Sequence, residues 1–101
     1  MVRSYPIAIP AEELAAFCRA KGIKKLSLFG SILRDDFTPE SDIDVLVEFE
    51  EGVRPGYRYF AIQEELAALL GRKVDLLTPD GLSKYFRDEV LHQAQVVYDA
   101  A

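Results

Sequence analysis

Cysteine is almost missing from this chain, with Cys18 the single one in 101 residues. One thiol cannot close an internal bridge, which excludes a disulfide scaffold and fits a reducing, cytoplasmic setting. At helical spacing beside Leu14 and Phe17, Cys18 reads as a packed apolar residue, not a nucleophile. His92 is the lone histidine; within a helical stretch it reads as surface or structural rather than as a base. No apolar run approaches the ~18 residues of a membrane span. Met1 to Pro10 lacks the basic region and long apolar core of a signal peptide. Nor is there a dense basic run. Lys21, Lys24 and Lys25 form the one cluster, read as a helix end and strand start on a solvated face. Against 12 basic residues stand 17 acidic ones, a net charge of −5, which argues against strong nucleic-acid binding. Repeats, low-complexity tracts and long linkers are absent.

What is present is ordinary globular material, 50% hydrophobic and 29% charged. The length suits one domain over residues 1–101. Residues 1–10 read as an arm leading to a helix, with Pro10 in its first turn, Glu12 and Glu13 favoured by the dipole, and Gly22 as the stop. A strand over 24–29 comes next. Gly30-Ser31 turns it into a short helix, about Ile32 to Asp36, and Thr38 to Ser41 make a loop. A second strand covers 43–49 and ends in the acidic Glu48, Glu50 and Glu51. After a connection through Val53 to Tyr57, a helix runs from about Arg58 to Leu70, with Tyr59, Ile62, Leu66 and Leu69 at helical spacing and Gly71 as the stop. The third strand is Val74 to Leu77. Asp80-Gly81 turns the chain into a helical stretch from about Leu82 to Leu91, and Gln95 to Tyr98 form a terminal strand at a sheet edge. Strands alternating with helices predict an α/β or α+β fold, with helices packed on a small mixed sheet.

The chemistry gathers between Leu26 and Val47. Residues two apart on a strand share a face, so Asp42 and Asp44 point one way and Ile43, Val45 and Val47 the other. Asp75 lies inside an apolar strand and needs a compensating partner. If the second and third strands are neighbours, Asp75 joins the pair. At about 5 Å and an effective dielectric near 20, each carboxylate pair costs roughly 3 kcal/mol. Hard divalent cations with oxygen ligands offset that cost. Two ions would suit an in-line phosphoryl displacement. Gly30 lets backbone approach a phosphate, Ser31 at a helix start offers N–H groups and a hydroxyl, and Arg34 offers a charged fork. An EF-hand is excluded, because Val45-Leu46-Val47 runs on where its loop needs polar ligands.

Gly30-Ser31, ten intervening residues and Asp42-Ile43-Asp44, then Asp75 within Val74 to Leu77, resemble the DNA polymerase beta-like nucleotidyltransferase superfamily. The likeness is greatest to its minimal nucleotidyltransferase (MNT) branch, with the MntA-type antitoxins, and takes in Arg34 and the closing Val96-Val97-Tyr98. The resemblance implies that Asp42, Asp44 and Asp75 are catalytic and bind two Mg²⁺ ions. It implies that Gly30, Ser31 and Arg34 hold the triphosphate of ATP. Where the family often has glycine after the arginine, this chain has Asp35. MNT proteins pair with a HEPN-type ribonuclease toxin and neutralise it by moving AMP from ATP onto a toxin tyrosine, so the resemblance implies an antitoxin that is a protein adenylyltransferase.

Two other functions stay open on the residues. One is a binding module that neutralises its partner by occlusion through aromatic surface at Tyr57, Tyr59 and Phe60. The other is nucleotide transfer to RNA or a small molecule, disfavoured by the acidic charge. An edge strand at the C-terminus also leaves homo-oligomer formation open.

Overall fold

The computed structural model describes residues 7–34 and 37–100. The arm expected over residues 1–6, and everything expected of Asp35 and Asp36, lies outside these residues.

Helix α1 spans Ala11–Lys21. Pro10 is its N-cap, one position earlier than expected, and the Leu14 N–H donates to the Pro10 carbonyl at 2.8 Å. Gly22 ends the helix at φ 71°, in the left-handed region that favours glycine. Strand β1 is Ile23–Phe29 and β2 is Ile43–Phe49. They pair antiparallel, with Phe29 opposite Asp44 and Ser27 opposite Leu46. Helix α2, Arg58–Leu70, crosses over to β3, Val74–Leu77, which runs parallel to β2. Helix α3, Lys84–Gln93, leads to β4, Gln95–Asp99, antiparallel to β1. The sheet order is β3-β2-β1-β4, so β4 lies at an edge as the sequence suggested.

Alternation divides the sheet's two faces. Ile43, Val45 and Val47 of β2 are buried in the core with Leu14 and Cys18 of α1 and Ile62, Leu66 and Leu70 of α2. Helix α1 lies against β1 and β4, and α2 against β3. The opposite face carries Asp44. Burial pushes the Cys18 thiol up to about 11, with Arg19 partly opposing, so it stays a neutral packed group.

Two local expectations need correction. The helix expected from Ile32 is a 3-10 turn, Gly30–Leu33, closed by the Arg34 N–H donating to the Ser31 carbonyl at 2.9 Å. The helix expected from Leu82 begins at Lys84, because Thr78-Pro79 starts a separate 3-10 turn, Pro79–Gly81, and Ser83 caps α3 through its hydroxyl.

Leu66 is fully buried while Phe60, on the same helix, is 71% exposed. Leu66→Ala is expected to cost about 2–5 kcal/mol, read as a lower urea midpoint with unchanged m-value. Phe60→Ala is expected to change stability by no more than about 0.5 kcal/mol. Equal costs would place the core elsewhere.

Candidate functional site

Two carboxylates stand side by side where β2 and β3 begin, and a third, Asp42, lies just before β2. Asp44 is the second residue of β2, and its register partner across the parallel pair is Asp75 of β3. Neighbouring strands lie about 4.8 Å apart and partners share a face, so Asp44 and Asp75 stand side by side. Asp44 is half-buried, whereas Asp42 and Asp75 are exposed. Asp75 therefore does not need the compensating partner that its apolar strand suggested: its side chain is on the solvent face, between buried Val74 and Leu76. The group under strain is Asp44. Burial raises its pKa first, then the charges of Asp75 and Asp42, while Arg34 pulls it back down. Asp44 thus feels the charges of Asp75, Asp42 and Arg34.

Gly30 brings the turn against this cluster. Its φ is 77°, and a Cβ built there would overlap the Asp44 carboxylate, lying 3.0 Å from Cγ. Any side chain at position 30 would have to displace Asp44. Ser31 and Arg34 belong to the same 3-10 turn and its cap. That turn is four residues long, so the macrodipole expected to favour an anion at Ser31 is small; the backbone N–H groups remain as donors.

Three further residues position the site, and nothing in the sequence marked them for that purpose. Arg72 donates from Nη2 to the carbonyls of Thr38 at 2.6 Å and Ser41 at 2.9 Å, and its guanidinium lies 4.6 Å over the Phe37 ring. Thr38 and Ser41 bond each other, with the Thr38 N–H donating to Ser41 Oγ at 2.9 Å. The Ile43 N–H donates to the Lys73 carbonyl at 2.9 Å. The loop that delivers Asp42 is thereby stitched to the start of β3. On the free edge of β3, the Tyr59 hydroxyl donates to the Leu76 carbonyl at 2.7 Å, and the Leu76 N–H donates to Gln63 Oε1 at 2.9 Å. One helical turn of α2 thus satisfies both backbone groups of the residue after Asp75. The hydroxyl of Tyr59 is held protonated by burial and then by the Asp75 charge. Lys73 approaches Asp42 at 3.9 Å, an exposed pair of small energetic weight.

The donor set is all oxygen and carries excess negative charge, which fits a hard divalent cation. Among the described residues no three His, Cys, Asp or Glu side chains form a ready-made metal cage. Mg²⁺ commonly takes one or two carboxylates and completes its shell with water and substrate phosphates. His92 is exposed, and it borders a cavity of about 390 Å³ together with Gly30 and Arg34.

A family model for the nucleotidyltransferase domain matches residues 11–97. The chain belongs to the nucleotidyltransferase domain family. Its likeness within that family is to the minimal, MntA-type members. A Methanocaldococcus jannaschii protein that carries the name protein adenylyltransferase is 38% identical over 73 residues, 72% of this chain and 77% of that protein. The protein adenylyltransferase MntA of Thermococcus cleftensis is 36% identical over 77 residues, 76% of this chain and 75% of its own length. A solved structure described as a minimal nucleotidyltransferase superposes with a TM-score of 0.69 at 34% identity, covering 83% of this chain and 85% of that one. Two toxin–antitoxin complexes share the fold at 21% identity. One, with AMP-PNP, has a TM-score of 0.69 and covers 91% of this chain and 75% of that one. The other, an AMPylated Shewanella oneidensis HEPN toxin with its MNT antitoxin, has a TM-score of 0.61 and covers 89% and 70%.

Two stability measurements probe the geometry. Gly71 has a similar φ, 71°, but nothing within 4 Å of its absent Cβ. Gly71→Ala is expected to cost about 1–2 kcal/mol, the left-handed backbone penalty alone, and Gly30→Ala distinctly more. Equal costs in denaturant titrations would mean that Asp44 does not occupy that space. Asp44→Asn is expected to raise stability at neutral pH, since the native state disfavours the charge. A raised native pKa means that the folded chain binds the extra proton, so wild-type stability falls as pH rises from the ordinary aspartate value of about 3.9 through the raised one. The advantage of Asp44→Asn should fade below that window; an advantage constant with pH would contradict the electrostatic account.

Proposed function

We propose that this protein transfers AMP from ATP to a hydroxyl of a partner protein, with Mg²⁺ bound at Asp42, Asp44 and Asp75. The observation that carries the reading is the pairing of Asp44 with Asp75 on one sheet face, with the Asp42 charge acting on Asp44, against a turn with no room for a side chain at Gly30. Bound there, two divalent ions would offset the carboxylate charge and the charge of the triphosphate. The N–H groups at Gly30 and Ser31, with Arg34, hold the triphosphate. Asp75, the more exposed carboxylate of the Asp44–Asp75 pair, accepts the proton of the attacking hydroxyl. A bond forms between that oxygen and the α-phosphorus, the α–β bridging bond breaks, and pyrophosphate leaves.

The partner proposed is a HEPN-type toxin, with this chain as the antitoxin in a cytoplasmic pair. Relatives bearing the name protein adenylyltransferase, and a fold shared with toxin–antitoxin complexes, support this choice. A second reading, neutralisation by occlusion, is favoured by Tyr57 and Phe60, which are 89% and 71% exposed near the start of α2; Tyr59, expected beside them, is instead packed against the core with its hydroxyl on the Leu76 carbonyl.

The test uses ATP labelled at the α- or the γ-phosphate, with Mg²⁺ and the candidate partner. The α-label should move to the partner and the γ-label should not. Asp44→Asn should lower transfer by at least about 10²-fold, as for loss of a principal charge-stabilising group. Transfer of the γ-label would refute nucleotidyl transfer. An unlabelled partner that Asp44→Asn still neutralises would favour occlusion.

A further inference from the structure

The nucleoside end of the substrate also needs a place. Besides the cavity at His92, two regions next to Gly30, Ser31 and Arg34 matter to the rest of the substrate. One is along β2 and β3, over Asp44 and Asp75, where an acceptor hydroxyl must enter. The other is across the end of β1 toward α3. There Phe29, Gly30 and Arg34 form one wall of a cavity of about 360 Å³, and Phe86, Glu89, Val90 and Gln93 form the other. That volume is within the range of small-molecule sites, about 300–1,000 Å³. Gly30 and Arg34 line it directly, so it is continuous with the phosphate end.

The α3 wall has the composition of a base-binding surface. Positions 86, 89, 90 and 93 share one helical face. Phe86 and Val90 supply apolar area to the same cavity that Phe29 lines. Glu89 and Gln93 supply a polar edge, with Gln93 Nε2 donating to Glu89 Oε1 at a long 3.4 Å. No residue of α3 is buried, and Phe86 is 61% exposed, so this ring is not spent on the core. An aromatic ring beside an apolar floor with a polar rim matches a flat heterocycle that has polar edge groups. Glu89, an acceptor without donors when ionised, selects a base edge that presents an N–H.

We propose that the cleft between Phe29 and the Phe86–Val90 face of α3 binds the nucleobase of the donor nucleotide, with Phe86 stacking on the ring. The inference rests on the nucleotidyl-transfer reading of the neighbouring carboxylates and adds the site that reads the base.

The experiment compares two probes by titration calorimetry in Mg²⁺: AMP-PNP, which has a base, and tripolyphosphate, which has none. Wild type should bind AMP-PNP more tightly. Phe86→Ala should weaken AMP-PNP by about tenfold and leave tripolyphosphate unchanged. Phe86→Leu, which keeps apolar bulk without a ring, should show the same selective loss should the alanine variant not fold. Tyr85→Ala, 82% exposed on the neighbouring position, should alter neither. Equal loss on both probes, or loss on neither, overturns the base site. Wild-type binding of tripolyphosphate as tight as AMP-PNP overturns it while leaving the phosphate end intact. A folded wild type that binds neither probe overturns the nucleotide reading and the base site together.

Discussion

The arrangement depends on a space too small for a methyl group. Asp44 reaches out of β2 into the position where a side chain at Gly30 would stand. Only glycine accepts both that approach and the positive φ. The tight bend after β1 and the carboxylate of β2 are therefore one packed unit, and the register Phe29 to Asp44 fixes them together. Parallel pairing then adds Asp75 alongside Asp44. Burial, and after it the charges of Asp75 and Asp42, disfavour the ionised state of Asp44, and the fold accepts that cost at the edge of its core.

Rigidity comes from behind. The core residues Ile43, Val45 and Val47 anchor β2 against the two helices, which leaves the alternate positions to the site face. Arg72 ties down the loop before Asp42, and Tyr59 with Gln63 ties down the peptide after Asp75. The last pair also occupies the outer hydrogen-bonding edge of β3, so that edge is covered at Leu76. Side chains held on strands with their neighbours' backbone fixed keep a site preorganised more closely than loops would.

Much of this is legible in the sequence, for identifiable reasons. The bounds of β2, α2 and β3 follow from apolar periodicity ended by Gly52, Gly71 and Pro79, and the structure reproduces them. The pairing of Asp44 with Asp75 is legible once the second and third strands are taken as neighbours. The exposure of Asp75 is not, because a four-residue strand can be buried on one face only. The 3-10 turn at Gly30 cannot be told from an α-helix by its residues, because both begin alike. Arg72, Tyr59 and Gln63 escape because their bonds go to backbone carbonyls and N–H groups 13 to 34 residues away, which no side-chain pattern records. Thr78 and Ser83 are the signals that divide the last helical stretch, since Thr78 caps the 3-10 turn and Ser83 caps α3.

The most direct measurement of the central claim is Mn²⁺ binding by electron paramagnetic resonance, with and without AMP-PNP. The account predicts tight Mn²⁺ binding that depends on the nucleotide and is lost when Asp42, Asp44 or Asp75 becomes Asn, each on a folded chain. Mn²⁺ binding that ignores the nucleotide, or that survives all three replacements, would contradict it.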